Sequence, residues 1–473
     1  MVTGICMNDY LILRDDIKIE VEDNLIKIKA TPIYGNEDTL VFISKPQAVI
    51  LLLFDGTSSV GEICEKVARL FNTDQEKGEY TIVKTLELFG SLLAPLNGGI
   101  PKNNLNLIKA IISNSNIRLP RQESLEIERK PQELILFLTD DCSSRCIYCY
   151  MDSQAADAFK DSGKVLTLPE ICKIASQARD FGIRQVQLTG GEPFLHRNIL
   201  EIIEIFIKEG FKVSISTKKP FEEAFAQKLK AAGLTELQIS LDTLKPQTYE
   251  RLVGIPSKNL DNTLKSIKYI IEQGISCKIK TTVTSLNIKE VPEVIEYLFS
   301  AGCESFELQA YFKGHRHDAA LYPEIEDYER LLEGVNQLRD RHKGINIIEG
   351  FDPEYVRGSE KFRKVTRMDC LAGKSSVVIY SDGSYGYCGH SSHRLLRFGN
   401  FREMSLAESW NCQELKSFIN PDRKLYAGTR CGNCADFEAC NLKRCYVRTI
   451  IHFNSLYEMD PMCHLSEINY STT

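Results

Sequence analysis

Leu134-Ile-Leu-Phe-Leu138, Thr139-Asp140-Asp141 and Cys142-Ser-Ser-Arg-Cys146-Ile-Tyr-Cys149 follow one another without interruption. A short apolar run ended by a polar break reads as a buried strand, and three thiols crowd the loop that leaves it. A structural zinc site takes four ligands, yet no further Cys or His follows before Cys172, in a helical pattern. A zinc knuckle or three incidental cysteines are the plain readings. A strand end with three thiols and no fourth fits a metal centre left one ligand short.

Working outward, apolar strands alternate with amphipathic helices from Leu134 to about Gly350. The expected strands are 134–138, 185–188, 212–216, 236–241, 278–283 and 305–309, with helical patterns such as 198–209, 222–232 and 260–273 between them. Six β/α units in series predict a parallel sheet, open or curled as a partial barrel. Chemistry in such sheets gathers at the C-terminal strand ends, where the cysteine loop starts. The second strand ends in Leu188-Thr189-Gly190-Gly191-Glu192-Pro193, in which two glycines allow close approach of a ligand or backbone and a carboxylate can bind an amino group.

CxxxCxxC followed one β/α unit later by GGEP resembles the radical S-adenosylmethionine (SAM) superfamily. The resemblance implies a [4Fe–4S] cluster on Cys142, Cys146 and Cys149, with SAM filling the open iron and yielding a 5′-deoxyadenosyl radical. By the same likeness Tyr148 packs on adenine, and Gly190, Gly191 and Glu192 lie near the SAM amino group. Ser240 and Arg251 match positions that contact ribose and carboxylate. Ser216, with Thr217, stands where relatives often carry Thr-Asn-Gly. The plain reading of Arg251 is a surface helix charge.

After residue 350 the β/α rhythm stops. Ser376 to Tyr387 reads as a β-hairpin with a Ser-Asp-Gly turn, between Cys370 and Cys388, and Cys431, Cys434, Cys440, Cys445 and Cys463 follow. This order resembles the SPASM extension of peptide-modifying radical SAM enzymes, although four residues, not the usual three, separate Cys440 from Cys445. The likeness implies two auxiliary iron–sulfur clusters. Cys431, Cys434, Cys440 and Cys463 would hold one. Cys370, Cys388 and Cys445 would hold the other, its fourth position open to a substrate thiolate or filled by Asp369 or His390. Structural zinc is the plain alternative.

Residues 1–96 read β-β-β-α-α-α. Strands are expected at 10–13, 17–21 and 40–43, and helices at 47–54, 60–71 and about 79–93. The Ser59-x-x-Glu62 capping box opens the second helix. Read plainly, this is a winged-helix DNA-binding module, but glutamates on its helices weaken phosphate attraction. The pattern resembles the RiPP recognition element, which implies that a precursor-peptide leader adds as a strand to the small sheet. Residues 97–131 read as a linker, 132–350 as the barrel and 351–473 as the SPASM domain.

The 473 residues exceed one ordinary core, and the net charge of -6 shows no nucleic-acid footprint. With no signal-peptide pattern and no apolar run long enough for a bilayer, the expectation is a cytoplasmic protein off the membrane and without nucleic acid. In that setting sixteen cysteines favour metal over disulfides. Cys6, Cys64, Cys172, Cys277, Cys303 and Cys412 stand singly and are expected to be buried structural thiols.

The whole pattern resembles a RiPP maturase forming Cys thioether crosslinks, as sactipeptide and ranthipeptide enzymes do, with flavodoxin or ferredoxin as external electron donor. Carbon–carbon crosslinking and epimerisation are alternatives within that class. Formylglycine formation is disfavoured, because relatives doing it carry Asp where Gly389 stands. An iron–sulfur redox sensor that binds DNA is the non-enzymatic alternative.

Overall fold

The computed structural model describes residues 7–13, 17–22, 25–30, 39–44, 50–70, 74–89, 93–95, 131–151, 165–311, 319–349, 372–391, 393–435, 437, 444–461 and 463. The chain divides into two units, Met1–Glu128 and Arg129–Thr473. No helix among the described residues is long and apolar enough to cross a membrane.

In the first unit β1 (Tyr10–Leu13) lies between β5 (Asp55–Ser59) and β6 (Leu93–Pro95), both antiparallel to it. A second antiparallel sheet runs β2 (Ile17–Glu22), β3 (Leu25–Ala30), β4 (Thr39–Ser44). Strand β3 was not among the expected strands, although Ile26 and Ile28 alternate with Lys27 and Lys29. Directly after the span of the expected first helix, Asp55-Gly56 starts β5. Helix α1 (Val60–Leu70) opens on the expected capping box, with the Ser59 amide donating to Glu62 Oε2 at 2.8 Å. Helix α2 (Gln75–Phe89) starts and stops about four residues earlier than expected, which releases Leu93 for β6. Of the expected first helix, 47–49 lie outside the described residues and 50–52 are helical.

The second unit is built on one ten-stranded sheet. Seven parallel strands run β7 (Glu133–Phe137), β8 (Gln185–Thr189), β9 (Lys212–Thr217), β10 (Glu236–Ser240), β11 (Ser276–Val283), β12 (Ser305–Ala310) and β13 (Asn346–Glu349). The helices between them are α3 (Leu168–Asp180), α4 (Ile199–Lys208), α5 (Glu223–Ala231), α6 (Pro246–Val253), α7 (Lys258–Glu272), α8 (Val291–Ser300) and α9 (Ile325–Arg341). Each lays an apolar stripe on the sheet. Helix α4 buries Ile199, Ile202, Ile203 and Phe206, the i, i+3, i+4, i+7 pattern of one helix face, each side chain contributing about 1.5–3 kcal/mol.

This is a TIM-like α/β fold with a mostly parallel sheet. The expected hairpin continues that sheet: β14 (Ser376–Ile379) runs parallel to β7, and β15 (Ser384–Gly386) and β16 (Arg397–Asn400) follow antiparallel. Helices α10 (Leu406–Asn411), α11 (Gln413–Ile419) and α12 (Tyr446–Phe453) complete the unit. Cys64, Cys277 and Cys303 are buried as expected. Cys172 is exposed, a correction, because α3 buries Ile171, Ile174, Ala175 and Ala178 on the opposite face. Cys412 is half-buried and caps α11, its Sγ accepting from the Leu415 amide at 3.4 Å. Cys6 lies outside the described residues.

Candidate active site at the barrel mouth

The loops leaving β7 and β8 are joined along their backbones. Leu138 N donates to Thr189 O (2.9 Å), Gly191 N to Thr139 O (2.7 Å) and Glu192 N to Asp141 O (2.7 Å). This contact explains the paired glycines. A Cβ on Gly190 would stand 2.3 Å from Thr139 O, at φ +146, and one on Gly191 would stand 2.3 Å from Asp141 O. What approaches them so closely is the backbone of the cysteine loop itself.

On its other side that loop rests on the C-terminus of α6. Arg145 N donates to Val253 O (2.9 Å) and Ile147 N to Leu252 O (3.0 Å). Gly254, at φ +71, passes so near that a Cβ would meet Arg145 O at 2.7 Å. Arg251 sits in the same last turn and is exposed.

Within the loop the Ser144 amide donates to Cys142 Sγ at 3.5 Å. The Ser144 hydroxyl is buried with no partner among the described residues. Burial pushes the Cys142 thiol up, and the Cys146 thiol to about 12, with the Lys218 ammonium opposing both. A soft cation would displace these protons, since the thiolate is the ligand form. Three thiols, an amide aimed at sulfur and an orphaned hydroxyl fit an iron–sulfur cluster. Among the described residues no group of three or more His, Cys, Asp or Glu converges tightly enough to chelate a bare metal ion.

Glu192, only 2 % exposed, ties β8 to β9. Its Oε1 accepts from Phe194 N (3.0 Å) and Thr217 Oγ1 (2.8 Å), and its Oε2 from Lys218 N (3.0 Å) and Lys219 N (3.1 Å). Those four donors match the roughly four lone-pair positions of a carboxylate. Burial raises its pKa while these hydrogen bonds work against the rise.

Two residues that sequence reading missed stand beside it. The Lys218 ammonium donates to Tyr148 Oη (2.6 Å) and Asp242 Oδ2 (2.7 Å) and lies 5.2 Å from the centre of the Tyr148 ring. The Tyr148 hydroxyl donates to the same Asp242 oxygen, and Asp242 Oδ1 accepts from Thr282 N (2.9 Å). Burial works against the Lys218 charge, but the Asp242 carboxylate holds its pKa above the ordinary value. The sequence carried no signal for this pair, whose members lie 24 residues apart at the ends of neighbouring strands. Lys218→Met is expected to cost about 3 kcal/mol, because it strips a buried carboxylate of its cation. Asp242→Asn in the same chain should restore about 2 kcal/mol of that. Urea midpoints of the four proteins would measure the coupling, and additive losses would refute it.

Ser216, next to last in β9, and Ser240, last in β10, are half-buried on one face of the sheet; Gln238 pairs with Ser216, and Ser240 with Lys280. Cys388 follows β15. Its carbonyl accepts from Tyr380 Oη (2.9 Å), and its Sγ accepts from the His390 amide (3.4 Å) and lies 4.0 Å from His390 Nδ1. The His390 ring is 5.9 Å from that of Tyr150, next to Cys149.

Farther along, Asp460 organises two more cysteines. Its Oδ2 accepts from the Cys445 amide at 3.0 Å and its carbonyl accepts from the Cys463 amide at 2.8 Å. Cys431 and Cys434 share one turn, Cys434 N donating to Cys431 O at 3.2 Å. Cys370, Cys440 and Asp369 lie outside the described residues.

Residues 136–298 match the model of the radical SAM superfamily, and residues 370–435 match that of SPASM, an iron–sulfur cluster-binding domain. Over those residues the chain is similar to a radical SAM core and a SPASM extension, and the matches support SAM and iron–sulfur cofactors. More particularly, it is similar in fold to Streptococcus suis SuiB bound to SAM, with TM-score 0.60, 19% identity and coverage of 96% of this chain and 99% of that one. The complex of SuiB with precursor peptide SuiA gives TM-score 0.59, 19% identity and coverage of 96% and 100%. In sequence, a probable GTP 3′,8-cyclase of Methanocaldococcus jannaschii is 28% identical over 237 residues, 48% of this chain and 77% of the relative.

Proposed function

We propose that this chain is a maturase that forms Cys thioether crosslinks in a ribosomally made precursor peptide. What carries the reading is the likeness in fold to SuiB over 96% of the chain, in a structure that holds a precursor peptide. The small sheets and capped helix of the first unit support the role of a leader-binding recognition element, by strand addition.

Cys142, Cys146 and Cys149 would hold the SAM-binding cluster, with the Tyr148 ring, fixed by Lys218 and Asp242, beneath the adenine. With SAM bound there, the cofactor supplies a 5′-deoxyadenosyl radical able to take hydrogen from an unactivated carbon. Ser216, Ser240 and Arg251 are assigned to ribose and carboxylate. Gly190, Gly191 and Glu192 act by seating the cysteine loop and the end of β9. Cys388 and Cys445 with Cys370, and Cys431, Cys434 and Cys463 with Cys440, would hold two auxiliary clusters that take up the electron released when the thioether closes. The external donor would be a flavodoxin or ferredoxin.

The test is anaerobic. The reconstituted protein with reductant should form 5′-deoxyadenosine, and Cys142→Ala should form none. The peptide encoded beside the gene, co-produced with the enzyme, should lose two hydrogens per link by mass spectrometry. The relatives named as cyclases make GTP the competing substrate. 5′-Deoxyadenosine formation driven by GTP and by no peptide would sink the maturase reading.

A further inference from the structure

Strands β10 to β12 alternate between buried and more exposed residues as far as Gln309. On β11 Cys277, Ile279, Thr281 and Val283 are buried, whereas Lys278, Lys280 and Thr282 are half-buried on the opposite face. On β12 Phe306 and Leu308 are buried, and Ser305, Glu307 and Gln309 stand half-buried between them. A closed barrel fills this inner face with branched apolar side chains. Here the face is polar and partly open, and it holds a cluster that neither cofactor nor cysteines account for. Lys280 Nζ meets Glu307 Oε1 at 2.6 Å and Lys278 Nζ meets Glu307 Oε2 at 2.8 Å.

One carboxylate thus serves two ammoniums. The side chains are 25%, 32% and 18% exposed for Lys278, Lys280 and Glu307, so the trio carries one positive charge in excess while largely withdrawn from water. Each ammonium has three donors, and Glu307 takes one from each. Their pairing holds Glu307 in the charged form, its carboxyl below the ordinary range against the effect of burial. Lys280 is level with Ser240, the residue ending β10, which places the excess charge near the mouth. A half-desolvated cation is stabilised by an anion that brings further hydrogen bonds.

We propose that Lys280, with Lys278 and Glu307 holding it in place, forms a carboxylate-binding subsite that selects peptides bearing an acidic residue beside the modified segment. This rests on the peptide reading above. Lys280→Gln keeps Glu307 paired with Lys278, so the variant should fold, and circular dichroism and the urea midpoint check that it does.

The experiment passes a heptapeptide library over the immobilised, cluster-reconstituted full chain. Every member carries one cysteine, with Asp or Asn fixed at each position in turn, and retained peptides are counted by mass spectrometry. Wild-type protein should enrich Asp over Asn at least fivefold. Lys280→Gln should bring the ratio to one, and Lys280→Glu should turn the preference to basic peptides.

Equal retention of Asp and Asn peptides, or enrichment that survives Lys280→Gln, overturns the subsite and leaves the peptide reading standing. GTP is passed over the same protein in a second run, and its retention where no peptide is retained overturns both. Retention of neither overturns the subsite as well.

Discussion

Gly191→Ala is expected to empty the cysteine loop of iron and to lower 5′-deoxyadenosine formation at least about 100-fold. The new methyl carbon would stand 2.3 Å from Asp141 O and 2.6 Å from Asp140 O. Both are backbone atoms, so no side chain can rotate away. Relief requires the loop to lift, which breaks the bonds from Gly191 N to Thr139 O and from Glu192 N to Asp141 O. Overpacking costs about 1–3 kcal/mol, and the two lost bonds add about 1 kcal/mol each. Cys142 begins one residue after the point of collision, so a shift of about an ångström lands on the ligand set. Iron and sulfide per chain, the urea midpoint and 5′-deoxyadenosine are the readouts. A variant with wild-type iron and turnover would show that the loop does not depend on this contact.

Asp460→Ala should be the most damaging single change in the C-terminal part, at about 3–5 kcal/mol. Asp460 is 1 % exposed, and its oxygens accept from Arg448 Nε at 2.9 Å and Nη2 at 2.7 Å, a two-point pair. Removing it strips the carboxylate from a guanidinium whose side chain is only 11% exposed. It also removes the acceptor of the Cys445 amide, while the main-chain bond from Cys463 N to the carbonyl of residue 460 is kept. Iron bound per chain should fall with the cysteines of the loop at 142–149 untouched. Asp460→Asn should retain part of the stability, because the shape survives and the charge does not. Unchanged iron content in Asp460→Ala would remove Asp460 from the account of these cysteines.

Much of this protein was legible in one dimension. The parallel strands from β7 to β12 are short apolar runs separated by amphipathic helices, and each was found within a residue or two of its ends. The signal there is periodicity, which burial on a sheet imposes locally. Cys142, Cys146 and Cys149 were equally visible, because all three thiols sit in one loop. The weaker signals failed for physical reasons. β13 is four residues long, too short to show a period. β5 opens with Asp55-Gly56, a turn by composition that becomes a strand only because β1 pairs with it.

Local chemistry along the chain determined the alternation of strand and helix, the thiol-rich loop at a strand end and the later set of cysteines. Tertiary structure alone decided three further matters. It made β14 a neighbour of β7, some 240 residues away, because a parallel partner leaves no mark on the strand that receives it. It brought Lys218, Asp242 and Tyr148 together from three separate strand ends, since buried charges find partners in space. It also showed what presses on Gly190 and Gly191, and this changes the reading of the opening stretch. Backbone contact with the neighbouring strand's glycines holds the three cysteines in place, and such contact has no sequence pattern beyond the absence of a side chain.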